Sequence, residues 1–467
     1  MGGLLASLNT ASTALRVFSR ALNTEQTNVA NASSPGYAAQ SVNILPVGFG
    51  GNAGPNGDFI QLTSAGGVFA DASVRAASSQ ASESQTRANT LSPANQLFDI
   101  TGTTGILAAL QQFGSAFSQL SVSPNNPALG AAAINAASNV ALAFQSTAIS
   151  LASQQAQVSA TIQSTTAQIN SLASQISRLN VQSTNLSSSA DPVIGANLRN
   201  SLDQLSSLID ITVTKNPNGT VTVLAGGQLP LIIGDQAYTL SANPDAAAGS
   251  QVSSSAGGSS PASFSGQLGA LLQVQNGTLD ALLGSGLGAG FSPGTLNTLA
   301  AGFASRVNTL LTSGVTASGA AGLPLFTYDP VNPQNAAATL AVDPTLTPSD
   351  LGLASTGASG VANGIANLLA ALPASTAASD QISGLSAEGL FGSIAASVGQ
   401  KLSDANTAST AAQGALTGAQ TSRQQQIGVS LDQEAVNITA DERAYQANAQ
   451  VVSILNILTQ TAVDLIK

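Results

Sequence analysis

Residues 4–40 read LLASLNTASTALRVFSRALNTEQTNVANASSPGYAAQ, a helical seam that runs directly into a turn. Leu8, Leu15, Leu22 and Val29 recur every seven residues, and Leu4, Ala11, Phe18, Glu25 and Ala32 fall between them at alternating steps of four and three. This a/d heptad spacing predicts an amphipathic helix with one narrow apolar seam. Asn31 to Gly36 then gathers turn formers, and Pro35 with Gly36 stops the helix. The far end of the chain repeats the theme. Leu431, Ala435, Ile438, Glu442, Tyr445, Ala449, Val452, Asn456, Thr459, Val463 and Ile466 keep the same alternation, beside a second stripe of Val451, Leu455, Leu458, Ala462 and Leu465. A helix with a single narrow seam is not self-sufficient in water, so both termini require partners.

Composition narrows the function. The 467 residues suffice for two to four domains. With no Cys and no His there is no disulfide framework, no thiolate nucleophile and no Ser-His-Asp or Cys-His catalysis, and nearly every zinc or copper site is excluded. Carboxylate chemistry or an oxygen-ligated metal would remain. The candidate carboxylates Glu25, Glu434, Asp441 and Glu442 have no ligand loop around them and read as solvated or interhelical charges. Neither catalysis nor any cofactor or metal is expected. Only 7% of residues are charged, against about 25% in ordinary soluble proteins. A surface of Ser, Thr, Asn and Gln repels its own copies weakly, which suits a polymer. The net charge of −10 and the scattering of 12 Lys and Arg argue against nucleic-acid binding.

The opening MGGLLASLNT has neither a cationic start nor a continuous apolar run, so a cleaved secretory signal is not expected. No stretch approaches the roughly 20 apolar residues that span a bilayer, and the last 25 residues carry only Arg443 and Lys467 as cations. No membrane partner is therefore expected. The chain is cytoplasmic or leaves the cell without a cleaved leader.

Between the termini the period changes twice. Short apolar pieces within 37–71 read as extended segments or a hairpin, helical spacing resumes over 74–91, and Ile106, Leu110, Phe113, Phe117 and Leu120 form another seam. After the corner at 123–127, the heptad from Ile134 to Leu186 predicts a rod helix of about sixty residues, roughly 90 Å long. A shorter helix follows at 196–209. From Ile209 the period is two: 209–215 and 220–224 flank Asn216 to Gly219 as a hairpin, with further strands at 229–233 and 237–241. Residues 242–262 read as a flexible Ser/Gly-rich loop, deletion of which should be tolerated. Helical spacing returns at 263–277 and 296–313, mixed strand and loop at 315–350, and a glycine-loosened helix at 390–418. The expected fold is mainly α with a β-containing middle, in a nested layout of paired terminal helices and long coiled-coil-like rod helices around a central mixed domain. Its divisions are 1–45 with 428–467, 46–209 with 376–427, and 210–375.

The segment Asn28 to Gln40, NVANASSPGYAAQ, resembles the N-terminal signature of bacterial flagellar axial proteins, the rod, hook and hook-associated family. Asn28, Ala30, Asn31, Pro35, Gly36 and Tyr37 match it, while Ser34 stands where Thr is usual and Ala39 where Arg is common. Residues 196–234, 295–326 and the C-terminal helix, with Asp432, Glu434, Ala435, Tyr445, Gln446 and Ala447, are most similar to the hook-associated members that join hook to filament. Arg199 and Asp203 fall in a shortened form of a charged stretch in those relatives. The resemblance implies a subunit passed out through the flagellar channel by type III export. It also implies an extracellular helical assembly at the hook-filament junction, with an axial core built from the paired termini. Its implied partners are copies of itself, the hook protein, a second hook-associated junction protein, and an export chaperone on the C-terminal helix.

Assembly packing is then expected at Leu8, Leu15, Phe18 and Leu22, at Asn28, Asn31, Pro35, Gly36 and Tyr37, and at Leu431, Ala435, Tyr445, Val452, Leu455 and Leu458. Another flagellar hook or rod protein, or a non-flagellar secreted fibrous or adhesive protein, remains open on the same residues.

Overall fold

The computed structural model describes residues 2–44, 60–64, 67–101, 103–185, 192–216, 219–243, 251–257, 259–261, 264–284, 292–329, 331–332, 335–356 and 361–464. The opening seam forms α1 (Gly2–Ala30). Gly36 completes the following turn at φ +75°, a left-handed conformation open to glycine at no steric cost. β1 (Gln40–Ile44) pairs antiparallel with β2 (Ile60–Ser64), Val42 opposite Leu62. α2 (Val68–Gln96) is longer than the spacing predicts and carries Pro93 in its last turn. Leu91 and Ala94, both buried, hold that turn in place despite the hydrogen bond that proline removes.

α3 (Gly105–Val122) precedes the corner, and α4 (Pro127–Asn185) runs for 59 residues, roughly 90 Å. Pro127 and Pro192 each open a helix, α4 and α5 (Pro192–Leu208), where a missing N–H is harmless. The end predicted for the rod, at Leu186 to Ala190, lies outside the described residues.

β3 (Ile211–Lys215), β4 (Val221–Ala225), β5 (Leu229–Ile233) and β6 (Gln236–Ala237) make an antiparallel sheet in chain order. The segment predicted as one strand over 237–241 is divided: β6 closes this sheet, whereas β7 (Leu240–Asn243) begins another with β8 (Gln251–Ser254) and β9 (Ser259–Pro261). Much of the expected 242–262 loop is thus strand. Ser-rich composition hides it, because one apolar anchor, the fully buried Val252, holds the central strand. Deleting this stretch would remove that anchor.

α6 (Gly266–Val274), a π-turn at Gln275–Leu279, α7 (Asp280–Leu283) and α8 (Thr295–Ser313) follow. Beyond them come β10 (Phe326–Thr327), α9 (Ala336–Thr339), β11 (Ala341–Val342) and α10 (Gly364–Ala371). α11 (Ala387–Ile427) is one unbroken helix through Gly399, Gly414 and Gly418, and α12 (Leu431–Asp464) follows Gly428. The chain is mainly α, with a β-containing middle and long terminal helices.

Two compact units result. One comprises 1–79, 169–239 and 412–467, and the other 80–168 and 240–411. In the first, Ile209, Val221, Val223, Leu231 and Ile232 are buried, and the fully buried Asn180 fastens the sheet to α4. Its Nδ2 donates to the carbonyls of Val221 (2.8 Å) and Gly234 (2.6 Å), while its Oδ1 accepts from Val221 N (2.9 Å). In the second unit the Phe113 ring lies tilted against Phe117 with centroids 4.6 Å apart and meets Phe303 edge-on at 5.3 Å. Asn308 repeats the amide clamp there, accepting from the N–H groups of Leu325 and Phe326 and donating to Phe326 O.

One finding departs from the sequence reading: α4 holds an 18-residue window of mean hydropathy 1.3, apolar and long enough by composition to cross a membrane. Of that window 39% is buried; on the same helix Phe144 and Leu151 are fully buried, whereas Leu142 and Ile149 are exposed.

Candidate assembly interface at the paired termini

α1 and α12 pack along one another, so the two chain ends meet within the first unit. The most buried line on α1 is Ala11, Val17, Ala21 and Asn28, whereas Leu8, Leu15, Phe18 and Leu22 are half-buried beside it. On α12 the packed side holds Glu434, Ile438, Asp441, Val452 and Leu455. Leu431, Ala435, Tyr445 and Leu458 are exposed, and Leu465 and Ile466 lie outside the described residues.

Asn28, only 1% exposed, is the hub of the joint. Its Oδ1 accepts from Tyr37 Oη (2.9 Å) and Gln40 N (2.9 Å); its Nδ2 donates to Gln40 O (2.8 Å) and Glu434 Oε1 (3.1 Å). One amide therefore ties the end of α1 to the turn, to β1 and to α12. Burial, reinforced by the Glu434 charge, raises the Tyr37 pKa, which keeps the phenol a donor. Asn31 caps backward onto Thr27 O at 2.9 Å, Pro35 is exposed, and Gly36 is half-buried. A Cβ on Gly36 would stand 2.7 Å from the carbonyl oxygen of Ala196, so α5 closes on the turn only because the residue is glycine. Arg199 completes that contact, donating to Gly36 O at 2.8 Å.

Behind the turn lies a charge network of which the sequence reading singled out only Arg199 and Asp203. Arg199 pairs with Asp71 at 3.1 Å, and Arg423 pairs with Asp203 at 2.5 Å and with Asp71 at 3.8 Å. Arg75 is buried beside them. Burial lowers the Arg75 pKa against the opposing pull of Asp71 and Asp203, and raises that of Asp203 against the pull of Arg423. In a chain with so few charges, five of them are gathered here to join α2, α5 and α11. Ala39, in place of the family's Arg, contributes its backbone instead, donating to Ile427 O at 2.9 Å.

The carboxylates also come together. Glu25 and Asp441 line one cavity, Glu434, 7% exposed, is an interhelical charge bonded to Asn28, and Glu442 is exposed. Away from the packed face, α12 presents Val436, Val451, Ile454 and Leu458, which are 64%, 45%, 57% and 49% exposed. An uncovered apolar stripe of this kind marks an interaction surface.

Terminal helices paired through a buried polar hub, with an apolar stripe left open, are the features of a structural subunit. The description "Flagellar hook-associated protein FlgK helical domain" matches residues 91–326. Flagellar hook-associated protein 1 of Bacillus subtilis is 26% identical, with 99% of both chains covered. Its counterpart in Escherichia coli is 27% identical over 68% of this chain and 59% of that protein. The solved structure of the flagellar hook junction protein FlgK from Burkholderia pseudomallei shares the fold, with a TM-score of 0.64, 15% identity, and coverage of 77% of this chain and all of that one. The chain belongs to the flagellar hook-associated FlgK family.

Proposed function

We propose that this chain is the non-catalytic adaptor that joins hook to filament, assembling through its paired termini outside the cell. The observation that carries this is the uncovered α12 stripe of Val436, Val451, Ile454 and Leu458 on a helix already docked to α1. Packing among copies would cover it, as the heptads require. The assembly-packing set from Leu8 to Leu458 falls into two roles in this reading. Asn28, Gly36 and Tyr37 set the joint within one copy, while Leu431, Tyr445 and Leu458 face neighbours. The hook protein and a second hook-associated protein would lie on either side, and an export chaperone would shield α12 before type III export without a cleaved signal. The three-layer division at 1–45/428–467, 46–209/376–427 and 210–375 is proposed for the assembled subunit. The deciding experiment is deletion. Cells lacking the chain should complete hooks and shed filament subunits into the medium, and retention of full filaments would overturn the reading.

A further inference from the structure

Phe18, Ala21, Glu25, Gln40, Glu434 and Asp441 help to line a cavity of about 330 Å³ between α1, β1 and α12. Three carboxylates enter it from two helices, and none of its described lining residues is a cation. Glu25 Oε2 and Glu434 Oε2 are buried without a hydrogen-bond partner. Among the described residues no group of three acidic side chains is placed to hold a metal ion. Carboxylates that line one cavity with no cation among them repel one another when all are ionised, so a proton held on Glu25 relieves the group.

We infer that Glu25 and Asp441, with Glu434 behind them, form a proton-holding joint through which the pairing of α1 with α12 tightens on acidification and loosens above neutrality. The groups facing Glu25 are Asp441, Glu434 and Asn437 from α12, Gln40 and Ser41 from β1, and Tyr37 from the turn, whose phenol is already engaged with Asn28. The nearest cations on these helices, Arg20 and Arg443, are exposed. Burial first, then the Asp441 charge and hydrogen bond, then Glu434, push the Glu25 pKa up to about 7 from 4.5. The paired state therefore binds the extra proton. Its added stability is complete below about pH 4.5 and is lost as pH rises through about 7. The inference rests on the packing of the two helices and not on the junction reading, so each can fail without the other.

The chain contains no Cys, so Gln26→Cys with Gln433→Cys provides a unique pair of exposed label sites for distance measurement in the isolated full chain. At constant ionic strength the paired-to-separated ratio should fall about tenfold from pH 5.5 to 8.5, a figure reduced from the full shift because Glu25 is partly solvated. Glu25→Gln should stay paired and lose most of that dependence, the remainder belonging to Glu434, whose pKa burial also raises. Should Glu25→Gln misfold, carboxyl ¹³C titration of the unsubstituted chain decides alone: a Glu25 midpoint near 7 supports the joint, and one near 4.5 overturns it. A pH-independent distance in the native chain, or a Glu25→Gln chain that titrates like it, also overturns it.

Discussion

Asn28 Nδ2 reaches Glu434 Oε1 at 3.1 Å across 406 residues of chain. This contact makes the two termini one structural element, because the same amide is bonded to Gln40 on both its faces.

Asn28→Ala removes that amide and leaves Gln40 N and Tyr37 Oη buried without their acceptor. Unmet buried donors cost about 1–3 kcal/mol each, so the terminal joint should weaken by about 2 kcal/mol or more. Hydrogen exchange should accelerate in α1, β1 and α12, while amides around the Phe113 cluster stay protected. Equal protection of α12 in the variant and the native chain would contradict the hub.

Gly36→Ala is expected to be more damaging than its size suggests. The added methyl meets Ala196 O at 2.7 Å, and the residue must hold φ +75°. Clash and strain together place the loss at about 2 kcal/mol. Thermal unfolding of the first unit should shift downward, and an unchanged transition would refute the close approach of α5.

Leu455 and Leu458 should separate folding from assembly. Leu455 lies half-buried on the packed side of α12, while Leu458 is 49% exposed on the open stripe. Leu458→Asp should leave the circular dichroism of the monomer unchanged and abolish incorporation into flagella. Leu455→Asp should lower helicity as well. Normal incorporation of Leu458→Asp would remove the stripe as an assembly surface.

Arg423→Ala strips Asp203 of its ion-pair partner inside the charge network and leaves Asp71 to Arg199 alone. Removing one member of a largely buried group should destabilise the first unit by about 2 kcal/mol in urea titration. The loss should shrink on acidification, since burial already raises the Asp203 pKa and a protonated Asp203 no longer needs its partner. A loss of equal size at pH 4 and pH 8 would count against this account.

The helices were legible because their signal is local. Seams at steps of three and four, Pro127 and Pro192 at helix starts, and Gly36 after α1 each act within a turn or two of chain. The β7 to β9 sheet was not, since Ser-rich strands lack the alternation that reveals β structure and depend on neighbours supplied by the fold. Asn28 and Tyr37 could be singled out through a motif. Asn180 and Asn308, which clamp strands in the same manner, sit in ordinary helical sequence and carry no such mark.

Periodicity alone determined that both ends are amphipathic helices needing partners, because apolar spacing sets which face of a helix seeks cover. Tertiary structure decided which residues answer that need. Packing buried Ala11, Val17, Ala21 and Asn28 on α1 and left Leu8, Leu15 and Leu22 only half-buried. It also brought Glu25, Glu434 and Asp441 into one cavity, where burial and the neighbouring carboxylates raise the Glu25 pKa to about 7.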